Sequence, residues 1–174
     1  GTPDTPTTPA VRRYLRQFLM DPDVIDINPI GRFFLVNLII VPFRSPKSAH
    51  AYQKIWTPLG SPLFTHSVAL KTRVQERLGE NYFVELGMRY GNPSIASALS
   101  RLQAAGVDEL AVLPLYPQYA TSSTRSSLLE LERSLKKMQW QIKPKIIEDF
   151  FVDPGFIHAW VDLIKNELSD FNAD

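Results

Sequence analysis

Short apolar stretches alternate with helical segments along most of this chain, and this alternation restricts its fold more than any other feature. Residues 82–86 and 109–115 suit buried strands, and residues 141–150 alternate apolar and polar side chains as a half-exposed strand does. A segment with apolar residues at helical spacing follows each of them. Strands that alternate with helices favour a parallel sheet covered on both faces. We therefore predict an α/β fold, a doubly wound parallel sheet with helices on both faces, in a single domain over residues 1–174.

The helices of this fold are indicated by capping residues such as Ser94, by glycine stops such as Gly106, and by apolar residues at helical spacing such as Tyr14 and Phe18. The predicted helices run from Thr7 or Thr8 to the residue before Asp21, over residues 63–79, 94–105 and 124–138, and onward from Pro154. In the last helix a predicted buried side consists of Phe156, Trp160, Ile164 and Leu168. These helices connect the predicted strands and cover the sheet.

The most hydrophobic segment, residues 30–43, is too short to cross a membrane. A spanning helix needs about 20 apolar residues, and this segment also carries Arg32 and Asn37. Two interpretations remain open. The segment is either a buried helix, or an apolar lip that holds an apolar ligand or touches a membrane surface.

Charge and composition exclude several classes of function. A formal net charge of +1 gives no general attraction to nucleic acid, and no basic tract appears, so anion binding would depend on a few placed arginines. The absence of cysteine excludes disulfides and thiolate metal sites. His50, His66 and His158 fit no metal-ligand spacing, and neither a glycine-rich phosphate loop nor a nucleophile elbow is present. These observations predict a ligand-binding surface but no complete set of catalytic residues.

Three loops are the best candidates for that binding surface. Ligands of open α/β sheets bind outside the carboxyl ends of the strands. Residues 1–8, 87–94 and 114–127 occupy such ends, provided that a strand precedes the first loop. Arginine and hydroxyl donors in these loops suit carboxylates, and their aromatic rings suit a flat apolar body. Structural roles remain open as well: residues 122–124 suit a helix cap, and Arg89 suits a structural ion pair.

Four motifs in these regions resemble the amino-terminal half of ferrochelatase. They are GTPDTPTTPAVRRYLRQFLMDPDVID, FRSPKSAHAYQKIWTPLGSPL, GMRYGNPS and LPLYPQYATSSTRSS. The resemblance runs in order along the whole chain. It implies two similar doubly wound α/β domains with a porphyrin between them, and the insertion of ferrous iron into protoporphyrin IX in the last step of haem synthesis. Iron is then a substrate, and no cofactor is expected to be bound by this chain.

The resemblance also implies which residues contact the porphyrin. The predicted contacts are Arg44, Tyr52, Ser61, Arg89, Tyr90 and Tyr119. Arg44 suits a propionate, and residues 30–46 match the apolar lip of the family. Residues 116–125 are expected to form a wall of the pocket, stiffened by Pro114 and Pro117.

The departures from the family concern the metal. Its metal-site histidine follows the helix that matches residues 154–169, and its partner carboxylate lies further on, in the second domain. This sequence ends at Asp174 and starts after the first strand of the family. We therefore expect no catalytic and no metal-binding residue here, and interpret the chain as the porphyrin-binding part of the enzyme, lacking the second domain and inactive alone. The alternatives are a stand-alone tetrapyrrole-binding module without catalysis and a chelatase for another metal. A cytoplasmic location is expected, with residues 30–43 as a peripheral membrane contact.

Overall fold

A computed structural model describes residues 1–169. These residues form helices joined by loops, two π-helical turns and one pair of short strands. The elements are α1 (Thr8–Leu19), α2 (Pro29–Phe34), the π turn Leu35–Ile40, α3 (Val41–Ile55), α4 (Pro62–Leu78), α5 (Ile95–Ala104), β1 (Ala111–Val112), the π turn Thr121–Arg125, α6 (Ser126–Lys137), β2 (Lys145–Ile146) and α7 (Pro154–Ser169). All the predicted helices are therefore present.

The sheet is smaller than predicted. β1 and β2 pair in parallel, with Ala111 opposite Lys145 and Val112 opposite Ile146. Their connection contains α6, as a parallel pair requires. The predicted strand at residues 82–86 is wrong, since these residues form no strand. A doubly wound sheet is not seen within residues 1–169, because strand-like residues form a strand only where a neighbouring strand pairs with them.

One hydrophobic core lies between α1, the first π turn and α3. Thr7 precedes α1 and Pro9 lies in its first turn, which confirms the predicted start. The buried residues of this core are Val11, Leu15, Leu19, Val36, Val41 and Ala49. This packing fixes α1 against α3 and so determines the position of every loop attached to them.

A second core lies between α5, α6 and the start of β1. Its buried residues are Leu99, Leu102, Leu110, Leu131 and Leu135. The hydroxyl of Ser94 accepts a hydrogen bond from the backbone N–H of Ser97 at 3.1 Å and caps α5, as predicted. Gly106 follows α5 with a φ of +73°, a conformation that favours glycine.

The segment from Pro29 to Ile55 is one continuous helical rod whose α-helices are joined by a π turn. Only one side of the rod can face α1. The side chains left exposed are Ile30, Phe33, Phe34, Leu38, Ile39 and Phe43. The segment is therefore not a fully buried helix, since one side packs on α1 and the other is exposed. Its role as an apolar lip stays a prediction. Across the described residues, no helix combines the length and the hydropathy needed to span a membrane.

Two helices contribute little to either core. None of the residues of α4, all of which the structure describes, is buried. In α7, Trp160, Ile164 and Leu168 are exposed, so the predicted buried side is wrong at these positions. The chain exposes 12044 Å², about 3,400 Å² more than expected for a compact monomer of its mass. Apolar spacing correctly identified helices but could not show whether another element covers them.

Candidate functional site

Two of the predicted binding loops meet at the start of α1. Thr2 forms a parallel bridge with Gly91, which joins the loop of residues 1–8 to the loop of residues 87–94. The hydroxyl of Thr2 also donates a hydrogen bond to the hydroxyl oxygen of Ser61 at 2.8 Å. Ser61 is buried by this contact. The structure thus joins Ser61 to the loop of residues 1–8, 59 residues earlier in the sequence.

Gly91 is the residue that permits this close approach. Its φ is +80°, and a Cβ added to it would lie 2.3 Å from the carbonyl oxygen of Thr2. Its N–H donates to the side-chain oxygen of Gln17 on α1 at 2.9 Å. Both the backbone conformation and the space at this position therefore require glycine.

We expect Gly91→Ala to lower the free energy of unfolding by about 3 kcal/mol, since it combines left-handed strain with a backbone clash. Gly106→Ala is the matched control, because Gly106 has a similar φ of +73° but no atom within 4 Å of the added Cβ. The control should lose about 1 kcal/mol. Urea unfolding of both variants measures the difference, and equal losses would show that the contact with Thr2 contributes nothing.

Aromatic rings form a continuous row from α3 across α1 to the second loop. The ring of Tyr52 packs edge-on against Tyr14 with centroids 6.3 Å apart, and Tyr14 stacks on Phe18 at 6.2 Å. Phe18 meets the ring of Tyr90 edge-on at 5.1 Å. The row connects two of the predicted porphyrin contacts, Tyr52 and Tyr90. Sequence reasoning treated Tyr14 and Phe18 only as apolar positions of a helix and missed their place in the site.

The phenol of Tyr14 lies where several tyrosines converge. Burial raises its pKa, and the neighbouring phenols of Tyr52, Tyr116 and Tyr90 act in the same direction because each would carry a like charge if ionised. At neutral pH Tyr14 is a neutral phenol, and it donates a hydrogen bond to the carbonyl of Gly1 at 3.1 Å.

A buried ionic network lies at the end of this row. The carboxylate of Asp21 accepts hydrogen bonds from the guanidinium of Arg89, from the Tyr90 hydroxyl at 2.8 Å and from the Ser126 hydroxyl at 2.5 Å. The Nε–H of Arg89 donates to Ser126 at 2.7 Å, and Glu130 lies 3.7 Å from the same guanidinium. The Asp21 and Arg89 side chains are 3% and 10% exposed. The structural ion pair that the sequence analysis gave as one alternative for Arg89 is therefore present. Its partner, Asp21, was not predicted from the sequence.

The network shifts the pKa values of two of its residues, Asp21 and Tyr90. Burial opposes the ionisation of Asp21, but hydrogen bonds from Ser126, the backbone of Asp23 and Tyr90, together with the charge of Arg89, outweigh burial and lower its pKa. Burial, followed by the hydrogen bond to Asp21 and its negative charge, raises the pKa of Tyr90 to about 12. At neutral pH the network therefore holds a carboxylate, a guanidinium and a neutral phenol.

The third predicted loop is attached to the same region by an ion pair. Arg125, in the π turn that precedes α6, pairs with Asp23, two residues after Asp21. Its guanidinium remains half exposed, and the Tyr119 side chain is also exposed. The predicted helix cap at residues 122–124 is absent, because Ala120 precedes this turn and no side chain caps it.

The six predicted contacts fall into two groups. Tyr52, Ser61, Arg89 and Tyr90 are linked through α1 and the bridged loops. Arg44 and Tyr119 are exposed, and within residues 1–169 no hydrogen bond, ion pair or ring contact joins either to the other four. Arg44 lies on α3 next to the exposed Phe43 and about 12 Å along the helix axis from Tyr52. It therefore stands at the edge of the apolar lip.

A small cavity lies beneath the bridged loops. It is lined by residues that include Pro3, Tyr14 and Gly91 and has a volume of about 270 Å³. Pockets that enclose a small organic molecule usually measure about 300–1,000 Å³. The cavity is therefore too small to enclose a larger planar ligand.

Known proteins resemble this chain over its whole length. The family model named Ferrochelatase matches residues 1–174. A ferrochelatase of Coxiella burnetii (strain Dugway 5J108-111) is 51% identical over 176 residues, which cover 100% of this chain and 48% of the relative. The ferrochelatase of Actinobacillus pleuropneumoniae serotype 5b (strain L20) is 47% identical, with 95% and 53% covered, and that of Legionella pneumophila (strain Corby) is 45% identical, with 98% and 51% covered. The chain spans about half the length of the curated relatives it matches. The family match and these identities show that the chain belongs to the ferrochelatase family.

Proposed function

We propose that this chain is the porphyrin-binding part of a ferrochelatase, an enzyme that inserts ferrous iron into protoporphyrin IX. The observation that supports this proposal most strongly is the aromatic row between Tyr52 and Tyr90, which ends at a buried guanidinium and lies beside an exposed apolar segment. A protoporphyrin is a flat apolar body with two propionates and a polar centre. Aromatic and aliphatic side chains suit the ring, and arginine suits the propionates.

The proposal gives each part of the site a task. The apolar lip of residues 30–43 covers the macrocycle, and Tyr52 and Ser61 contact it from α3 and the loop that follows. Arg89 and Tyr90 present a fixed cation and a neutral phenol to its polar centre. Residues 116–125, with Tyr119 and Arg125 exposed, form the wall of the pocket. Iron is the second substrate, and its insertion requires a base that accepts two pyrrole protons.

The exposed lip is also the proposed place of contact with a membrane surface. Its exposed phenylalanines and aliphatic residues are of the type that enters the interface between headgroups and acyl chains. In this proposal the rest of the protein lies in the cytoplasm.

We expect Arg44→Ala to weaken the binding of protoporphyrin IX about tenfold, because it removes a charge-assisted contact with one propionate. The porphyrin is titrated into the chain in a non-ionic detergent, and the Soret absorbance is followed. The dimethyl ester of the same porphyrin has no carboxylates, so its affinity should be unchanged by the substitution.

Arg73→Ala is the matched control, since Arg73 is another exposed helical arginine, on α4. It should leave both affinities unchanged. Equal loss of both ligands in Arg44→Ala would contradict the propionate contact, and failure of the unsubstituted chain to bind either porphyrin would contradict the proposed function itself.

A further inference from the structure

We infer that Asp21 is a positioning residue that holds the side chains of Arg89 and Tyr90 in the orientation in which they meet the porphyrin. The inference rests on the proposed function and adds to it a residue that does not itself touch the substrate. Its basis is the geometry around one carboxylate.

Both oxygens of that carboxylate are occupied. Oδ2 accepts hydrogen bonds from the guanidinium of Arg89, the hydroxyl of Tyr90 and the hydroxyl of Ser126. Oδ1 accepts the backbone N–H of Asp23 at 2.8 Å. Each carboxylate oxygen has about two acceptor sites, so Oδ2 is saturated by its three donors and the carboxylate is committed to the protein.

Charge also excludes Asp21 from direct contact with a propionate, because its carboxylate would repel another negative charge. The side chains that it holds retain capacity. Only two of the five N–H groups of Arg89 donate within the network, to Asp21 and Ser126. The Tyr90 hydroxyl donates to Asp21 and lies 3.2 Å from the Ser126 hydroxyl, so the network also fixes the orientation of the phenol.

Ser126 makes the arrangement rigid. Its hydroxyl donates to Asp21 and accepts the Nε–H of Arg89 at 2.7 Å, which fixes the guanidinium at two points. The guanidinium also lies 4.6 Å from the centre of the Tyr90 ring. Asp21 at the end of α1, Ser126 at the start of α6 and the loop between them are thereby locked together.

The chain contains a comparable ion pair outside this site. Glu85 accepts from Lys71 at 3.1 Å and from Arg101 at 2.8 Å, with 17% of its side chain exposed. It also binds two cations from separate elements, α4 and α5, but contacts no member of the aromatic row. Glu85→Gln is therefore the matched control for Asp21→Asn.

The test is a double-mutant cycle on the affinity for protoporphyrin IX, with folding of each variant checked by circular dichroism. Asp21→Asn should weaken binding at least about tenfold in the unsubstituted chain. In an Arg89→Ala, Tyr90→Phe background it should change the affinity less than twofold, since the groups that it positions are gone. Glu85→Gln should change the affinity less than twofold in both backgrounds.

A purely structural role for Asp21 predicts the same loss in both backgrounds, and that result would overturn the inference while leaving the proposed function intact. Unchanged affinity in folded Asp21→Asn would overturn it as well. If Asp21→Asn does not fold, the affinity of Ser126→Ala for protoporphyrin IX is compared in the same two backgrounds instead. This substitution removes a contact with both Asp21 and Arg89 without removing a charge. Absence of porphyrin binding by the unsubstituted chain would instead overturn the proposed function, and the inference with it.

Discussion

Asp21→Asn is expected to lower the free energy of unfolding by about 3 kcal/mol at pH 7. The substitution leaves the guanidinium of Arg89 buried without its main counter-charge. Breaking a buried ion pair usually costs about 3–5 kcal/mol, and Glu130, 3.7 Å from the guanidinium, places the expected loss at the lower end. Urea unfolding measures the loss.

Glu85→Gln is the control for this loss as well, and it should cost no more than about 1 kcal/mol, because Lys71 and Arg101 are partly exposed and water can replace their partner. Equal losses in the two variants would mean that the buried Asp21–Arg89 pair contributes no more to the free energy of unfolding than the more exposed pairs of Glu85.

The stability lost in Asp21→Asn should depend on pH. The pKa of Asp21 is lower in the folded chain than its ordinary value of 3.8, because its hydrogen-bond donors and Arg89 outweigh the effect of burial. Because its pKa is lower in the folded state than in the unfolded state, ionised Asp21 stabilises the folded state. This stabilisation is complete above the unfolded pKa and is lost as the pH falls through the folded pKa. The difference between wild type and Asp21→Asn should therefore be constant from about pH 5 to 9 and shrink below about pH 4. A difference that stays the same at pH 3 would contradict this assignment.

The second large effect concerns the chemistry. The purified 174-residue chain is expected to bind protoporphyrin IX without inserting a metal into it. Metallation removes two pyrrole protons, and the natural acceptor is a base with a pKa near neutrality, usually histidine. His50, His66 and His158 are all exposed, on α3, α4 and α7, and the resemblance assigns none of them to this role.

Insertion of zinc or of ferrous iron under reducing conditions is followed through the change in porphyrin fluorescence and absorbance. The rate should equal that of the uncatalysed reaction in the same detergent. A rate above that background, lost on substitution of one of the three histidines, would show that the chain carries its own proton acceptor.

The helices could be predicted from the sequence because their signals are local. Ser94 and Gly106 mark the two ends of α5 through side-chain and backbone chemistry within one turn, and both predictions are confirmed. The strand predicted at residues 82–86 failed for the opposite reason. A strand depends on a partner far away in sequence, and composition cannot supply that partner.

The candidate site could be predicted only in part, because some of its contacts join residues that are far apart in sequence. The loops that contain Thr2 and Gly91 were expected to meet, and they do. Asp21 was assigned only to the end of α1, since nothing in a single sequence connects it with Arg89, 68 residues later. Burial also depends on the whole assembly of elements. The apolar residues of α7 have helical spacing, yet Trp160 and Leu168 are exposed.

The large exposed surface has a thermodynamic consequence. Unfolding raises the heat capacity in proportion to the surface that becomes newly hydrated. Because the folded chain already exposes about 3,400 Å² more than a compact monomer, its heat-capacity increment should be about a sixth below the usual value for its length. A smaller increment broadens the dome of stability against temperature, so that the cold and hot limits of the folded state lie further apart for a given maximum stability.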